Sequence, residues 1–86
     1  MQGSEMTGEI LDINRLNNSV NGNPRYEIRV LPDGEPLGYS RILRTSSDIS
    51  SAYEVGNLGR RVGDRVRFVL TAAGLIRALT DPKVNA

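Results

Sequence analysis

With 86 residues, 11 basic and 10 acidic side chains, and neither cysteine nor histidine, the chain has room for one small domain that buries only about 60% of its unfolded surface. No disulfide or thiolate metal site can form, and the commonest general acid/base and metal ligand is missing. The net charge of +1 makes no electrostatic case for a polyanionic partner, where a clearly basic domain is expected.

No apolar run approaches the ~18 residues a membrane span needs, and a cytoplasmic protein is expected. Residues 1–5 lack the basic start and apolar stretch of a signal peptide. They are expected to be a disordered expression remnant ahead of Met6, with the domain over 6–81 and a flexible tail over 82–86.

The first strand is expected over Thr7 to Ile13. Ile10 and Ile13 stand three apart, which breaks strict alternation; a bulge at Leu11-Asp12 returns both to one core, and Gly8 permits a bend. A turn cluster follows, Asn17-Asn18-Ser19 and then Asn21-Gly22-Asn23-Pro24. Here Gly22 can take positive φ and Asn23 is held extended by the proline after it.

Arg25 to Leu31 carries the cleanest period-2 pattern in the chain. Tyr26, Ile28 and Val30 face one way, Arg25, Glu27 and Arg29 the other. After the Pro32-Asp33-Gly34-Glu35-Pro36 turn, a third strand is expected over Tyr39 to Thr45. Its facing is ambiguous, because Ile42 and Leu43 are adjacent. Arg65 to Thr71 is the fourth strand, with Val66, Phe68 and Leu70 inward. The Ala72-Ala73-Gly74 turn leads into the fifth, Leu75 to Thr80, which ends at Asp81-Pro82 because proline cannot donate to a ladder.

Between the third and fourth strands, Ile49, Ala52 and Tyr53 sit at i, i+3 and i+4. Ser46 or Ser47 can cap the amino end, and Gly56 can take the left-handed position after the last turn. A short helix is expected there, formed because Ile49 and Tyr53 plug a core. Three strands, a helix and two strands is the order of a five-stranded OB-fold-like barrel, all-β with one short helix at one end. An SH3-like barrel is the rival, being equally small and strongly bent.

Catalysis finds little support. Without histidine the serines cannot form a conventional triad, and Ser46, Ser47, Ser50 and Ser51 cluster where capping explains them. Glu9, Asp12, Asp33, Glu35, Glu54 and Asp64 fall in turns or on outer faces, not in an apolar pocket able to raise one pKa. The glycine-rich stretch Gly56 to Gly63 has no following lysine and leads to a strand, unlike a phosphate-binding loop. The chain therefore reads as a binding module without cofactor or metal.

Ten of the basic residues are arginine and one is lysine, Lys83. Arginine offers a planar fork for phosphate or carboxylate, although a GC-rich genome also encodes it by default. An OB-like barrel binds on the outer face of strands two and three and the adjoining loops. That face is expected to present Arg25, Arg29 and Arg41, extended by Arg65, Arg67 and Arg77. Stacking residues for single-stranded nucleic acid are scarce; Tyr26, Tyr53 and Phe68 are expected inward, which leaves Tyr39 as the candidate platform. The alternative is protein association, including self-association. It is suggested by an acidic amino-terminal stretch (Glu5, Glu9, Asp12) opposed by arginines over 57–71.

The phrases Asn18-Ser19-Val20-Asn21-Gly22-Asn23-Pro24-Arg25-Tyr26 and Ser47-Asp48 through Ala52-Tyr53-Glu54-Val55 resemble segments of small uncharacterised proteins of actinobacteria and their phages. The resemblance implies a single barrel of phage-related origin with no residue roles to carry over. It also implies an accessory role, docking on a host or phage protein in the host cytoplasm.

Overall fold

A computed structural model describes residues 4–18, 22, 24–46 and 60–82. The expected helix, with its proposed plug of Ile49 and Tyr53, lies outside the described residues, as does the tail beyond Pro82.

The described chain is built from five strands: β1 (Ser4–Leu16), β2 (Arg25–Pro32), β3 (Arg41–Arg44), β4 (Arg65–Leu70) and β5 (Ile76–Thr80). They form one sheet in the order β3-β2-β1-β4-β5, and every neighbouring pair is antiparallel. Among the described residues no helix is long and apolar enough to cross a membrane.

β1 organises the sheet. Its first half, Ser4 to Glu9, pairs with Leu70 to Arg65 of β4, while Gly8 to Leu16 pairs with Pro32 to Arg25 of β2. The strand thus starts ahead of the expected Thr7. Ser4 and Glu5, assigned from sequence to a disordered leader, are laddered to Leu70 and Val69 because β4 is long enough to receive them.

The bulge falls where the isoleucine spacing demands it. The register shifts between Ile10 and Asp12, leaving Leu11 as the extra residue. Ile10 then stands opposite Val30 and Ile13 opposite Ile28, so both isoleucines lie on the core side of β2. Gly8 marks the point where β1 changes partners. A Cβ there would lie 2.4 Å from the Leu31 carbonyl oxygen and 2.9 Å from Val30 Cγ2, so only glycine lets the two strands come this close. In the turn before β2, Gly22 has φ +83°, a conformation that costs side-chain-bearing residues far more than glycine.

The core lies on one side of the sheet. Ile10, Ile28, Val30, Leu43, Val66, Phe68, Leu70, Ile76 and Leu79 are buried, with Met6, Ile13 and Tyr26 packed against them. The alternation expected for β2 and β4 is therefore realised. The ambiguity of β3 resolves with Leu43 inward, 7% exposed, and Ile42 outward, 53% exposed.

The sheet curls far enough for its two edge strands to meet at one point. Thr45, just past β3, forms a parallel bridge with Ile76 at the start of β5, and the Ser46 N–H donates to the Ile76 carbonyl at 2.9 Å. Beyond this bridge the ladder is not continuous, so among the described residues the sheet is not closed.

Two expected boundaries move for local reasons. Leu37–Tyr39 forms a 3-10 turn in place of the first residues of β3. The Tyr39 N–H bonds back to the Pro36 carbonyl and the Ser40 N–H to the Leu37 carbonyl, which satisfies these groups within the turn. Leu75 belongs to the β4–β5 turn, where its N–H donates to Thr71 Oγ1 and its carbonyl accepts from the Thr71 N–H.

Candidate binding face

Register decides which arginines share a surface. Across the outer side of the sheet, Glu27 lies between Arg44 of β3 and Asn14 of β1, and Arg29 lies between Ile42 and Asp12. Farther along, Glu9 faces Arg65, and Arg67 lies between Thr7 and Thr80.

Several of these arginines already have acidic partners. Arg44 Nε lies 3.0 Å from a Glu27 carboxylate oxygen, and Arg67 Nη1 lies 3.6 Å from Glu5 while its Nε donates to Thr80 Oγ1 at 2.8 Å. Arg65 grips Asp33 through both its Nε and Nη2. These hydrogen bonds outweigh the opposing desolvation and, with the guanidinium charge adding to them, hold the Asp33 carboxyl below its ordinary value. The same pairing raises Arg65. Such exposed pairs add little stability, but each removes a positive charge from the surface a polyanion would meet.

The expected basic face is thus reorganised. Arg25 and Arg29 do lie on the outer side of β2, Arg25 half-buried beside Leu16 and Arg29 exposed. Arg41 does not join them: it stands opposite the buried Val30, on the core side of the sheet, with Nη1 3.7 Å from Met6 Sδ at the rim. Since Leu43 must face the core, Arg41 two residues earlier takes the same side. Arg65 and Arg67 are outward but neutralised, and Arg77 is exposed on the far edge strand.

The outer β2–β3 surface instead pairs apolar groups with an uncompensated cation. Arg29 forms no ion pair among the described residues, and its Nη1 reaches Ser40 Oγ at 3.4 Å. This contact ties it to the 3-10 turn, where Leu37 is 67% and Tyr39 66% exposed. Ile42 stands beside Arg29 on the same face. Tyr39 was legible as an exposed aromatic, whereas Leu37 and Ile42 were missed. The signal that could have found Ile42 was parity: an inward Leu43 requires an outward Ile42.

Tyr26 is half-buried under the Arg15 guanidinium, 5.5 Å from its ring centroid, and is not a free platform. Among the described residues no group of three or more carboxylates converges as a metal site would require. No protein-family model matches the chain, and no curated protein and no solved structure matches it either.

Proposed function

We propose that this chain is a non-catalytic binding module that docks on a protein partner through the outer surface of β2 and β3 and the turn that joins them. The observation that carries the reading is Ile42, 53% exposed in mid-strand, directly opposite Arg29, which has no acidic partner among the described residues. Leu37 and Tyr39 are exposed in the turn next to Ser40, which Arg29 touches. Interface cores are enriched in aromatic residues and arginine and depleted in other charges, and energetic anchors are most often tyrosine, tryptophan and arginine.

The same surface supports nucleic-acid binding less well. A backbone-tracking groove needs several uncompensated cations, and here Arg44, Arg65 and Arg67 are matched by Glu27, Asp33 and Glu5. Single-stranded nucleic acid bound by Arg25, Arg29 and Tyr39 is the second reading, favoured by the exposure of Tyr39 alone.

In this account the sheet is completed as an OB-like barrel. The strand order β3-β2-β1-β4-β5 and the parallel meeting of Thr45 with Ile76 are the features such closure requires. A docking module of this kind accords with the phage-type accessory role that the sequence resemblance implies, with a host protein as the partner.

The test is affinity capture from host lysate with wild type and two surface variants, Ile42→Glu and Tyr39→Ala. Both positions are exposed, so both variants keep the wild-type circular dichroism spectrum. The same captured protein, identified by mass spectrometry, must be retained by wild type and lost by both variants. Equal capture by all three overturns the proposal.

A further inference from the structure

Hydrogen bonding along β3 singles out one sheet edge. In an antiparallel pair, only alternate residues direct their backbone groups at the partner strand. The Thr45 N–H bonds to the Tyr26 carbonyl at 2.9 Å, so Leu43 and Arg41, two and four residues earlier, also direct their backbones at β2. The backbones of Ile42 and Arg44 must then point away from it. Ser46, the next residue of that parity, confirms the direction, since its N–H donates to Ile76 of β5. Among the described residues no backbone partner meets Ile42 or Arg44.

The opposite edge is blunted. β5 carries a register shift between its pairings at Ala78 and Ile76, and Arg60 Nη2 approaches the Leu79 carbonyl at 3.5 Å. Bulges and covered carbonyls are the usual protection of an edge strand, and an unprotected edge is a template for another chain.

The side chains around the β3 edge define what fits it. Arg41 flanks the edge on the core side and Arg29 lies one strand in on the outer side, and neither has a carboxylate partner among the described residues. Residues 36–46 contain two arginines and no acid. A second copy of β3 would bring more arginine and no acid to this edge, so it offers Arg41 no carboxylate.

We infer that β3 accepts an acidic, extended peptide segment of a partner protein, which adds beside Ile42 and Arg44 as a further antiparallel or parallel strand. Backbone hydrogen bonds supply the attachment, while carboxylates facing Arg41 and Arg29 and an apolar side chain beside Ile42 supply the selection. The inference rests on the protein-docking reading and specifies how the partner is held.

The experiment uses the whole chain, isotope-labelled, and a capped ten-residue peptide of serine, valine and glutamate with glutamates at both odd and even positions, so that each face of the added strand carries carboxylates. Its lysine counterpart and a version N-methylated at alternate amides serve as comparisons. The acidic peptide is expected to bind and to slow amide exchange at Ile42 and Arg44 by about tenfold or more. The lysine and N-methylated peptides are expected to bind at least about tenfold more weakly, as are all peptides to Ile42→Pro, which removes one edge donor.

No binding of the acidic peptide, equal binding of the N-methylated one, or protection elsewhere than β3 overturns the inference. Because N-methylation alters only the peptide, that arm stands even if Ile42→Pro fails to fold. If Ile42→Pro folds and captures the lysate protein that Tyr39→Ala loses, strand addition is wrong and side-chain docking remains.

Discussion

Replacing Gly8 by alanine tests the geometry of the sheet at its most constrained point. The added Cβ would lie 2.4 Å from the Leu31 carbonyl oxygen and 2.9 Å from Val30 Cγ2. Neither neighbour can yield easily. Leu31 is held in the β1–β2 ladder opposite Glu9, and Val30 is fully buried. Gly8 itself pairs with Pro32 on one side and Val66 on the other, so a shift of β1 disturbs both ladders.

Overpacking of this kind costs about 1–3 kcal/mol, and a backbone clash between two laddered strands belongs at the upper end. For a domain of this size ~3 kcal/mol lowers Tm by roughly 12–24 °C. Gly38→Ala is the internal control, since nothing lies within 4 Å of its added Cβ. It should be neutral, or more stable by a few tenths of a kcal/mol to about 1 kcal/mol through the unfolded chain. Urea and thermal unfolding followed by far-ultraviolet circular dichroism measure both. A Gly8→Ala variant within about 0.5 kcal/mol of wild type would refute the close approach of β1 and β2.

Phe68, fully buried, should cost about 3–5 kcal/mol as alanine, a large part of the roughly 4–13 kcal/mol expected for this length; a folded, near-wild-type melt would show that β4 faces the other way. Thr45→Val keeps shape but strands the Tyr26 N–H that Thr45 Oγ1 accepts at 2.9 Å, so about 1–3 kcal/mol should be lost in urea titrations, while no loss would deny that bond. Asp33→Asn tests the Asp33–Arg65 pair through pH. The folded carboxyl titrates below the unfolded one, so its contribution is whole above the ordinary aspartate range and disappears as pH falls through the folded value. Wild type and variant should differ slightly at neutral pH, converge in acid, and differ less at high salt; curves parallel at every pH would contradict the pairing.

The parts of the fold that were legible in the sequence are those written into short-range pattern. The strict alternation of Tyr26, Ile28 and Val30 marks β2, and Val66, Phe68 and Leu70 mark β4, because a half-buried strand must put every second residue into the core. The spacing of Ile10 and Ile13 announced the bulge, since no regular strand places both on one side. Tyr39 misled, because a strong strand former two residues before Arg41-Ile42-Leu43 hides a turn that is fixed by Pro36 and by bonds the backbone makes to itself.

The candidate site was harder to read because it depends on register between distant segments. Asp33 and Arg65 are 32 positions apart, and nothing local in either segment announces their pairing. Arg41 was grouped with Arg29 as a surface cation; the two fall on opposite sides of the sheet once Leu43 takes the core. What looked like one basic face therefore divides: Arg65 and Arg67 are paired with carboxylates, Arg41 lies on the core side, and Arg29 is left beside the apolar Ile42.

The most direct measurement of the central claim is a titration of the whole chain with a fluorescent single-stranded deoxythymidine oligomer over a range of salt concentrations. A protein-docking surface with Arg44, Arg65 and Arg67 matched by carboxylates predicts no anisotropy change even at low salt. Binding that weakens linearly in log salt, and that is abolished in Arg25→Ala/Arg29→Ala/Arg41→Ala while the fold survives, would contradict the account and make the chain a nucleic-acid binder.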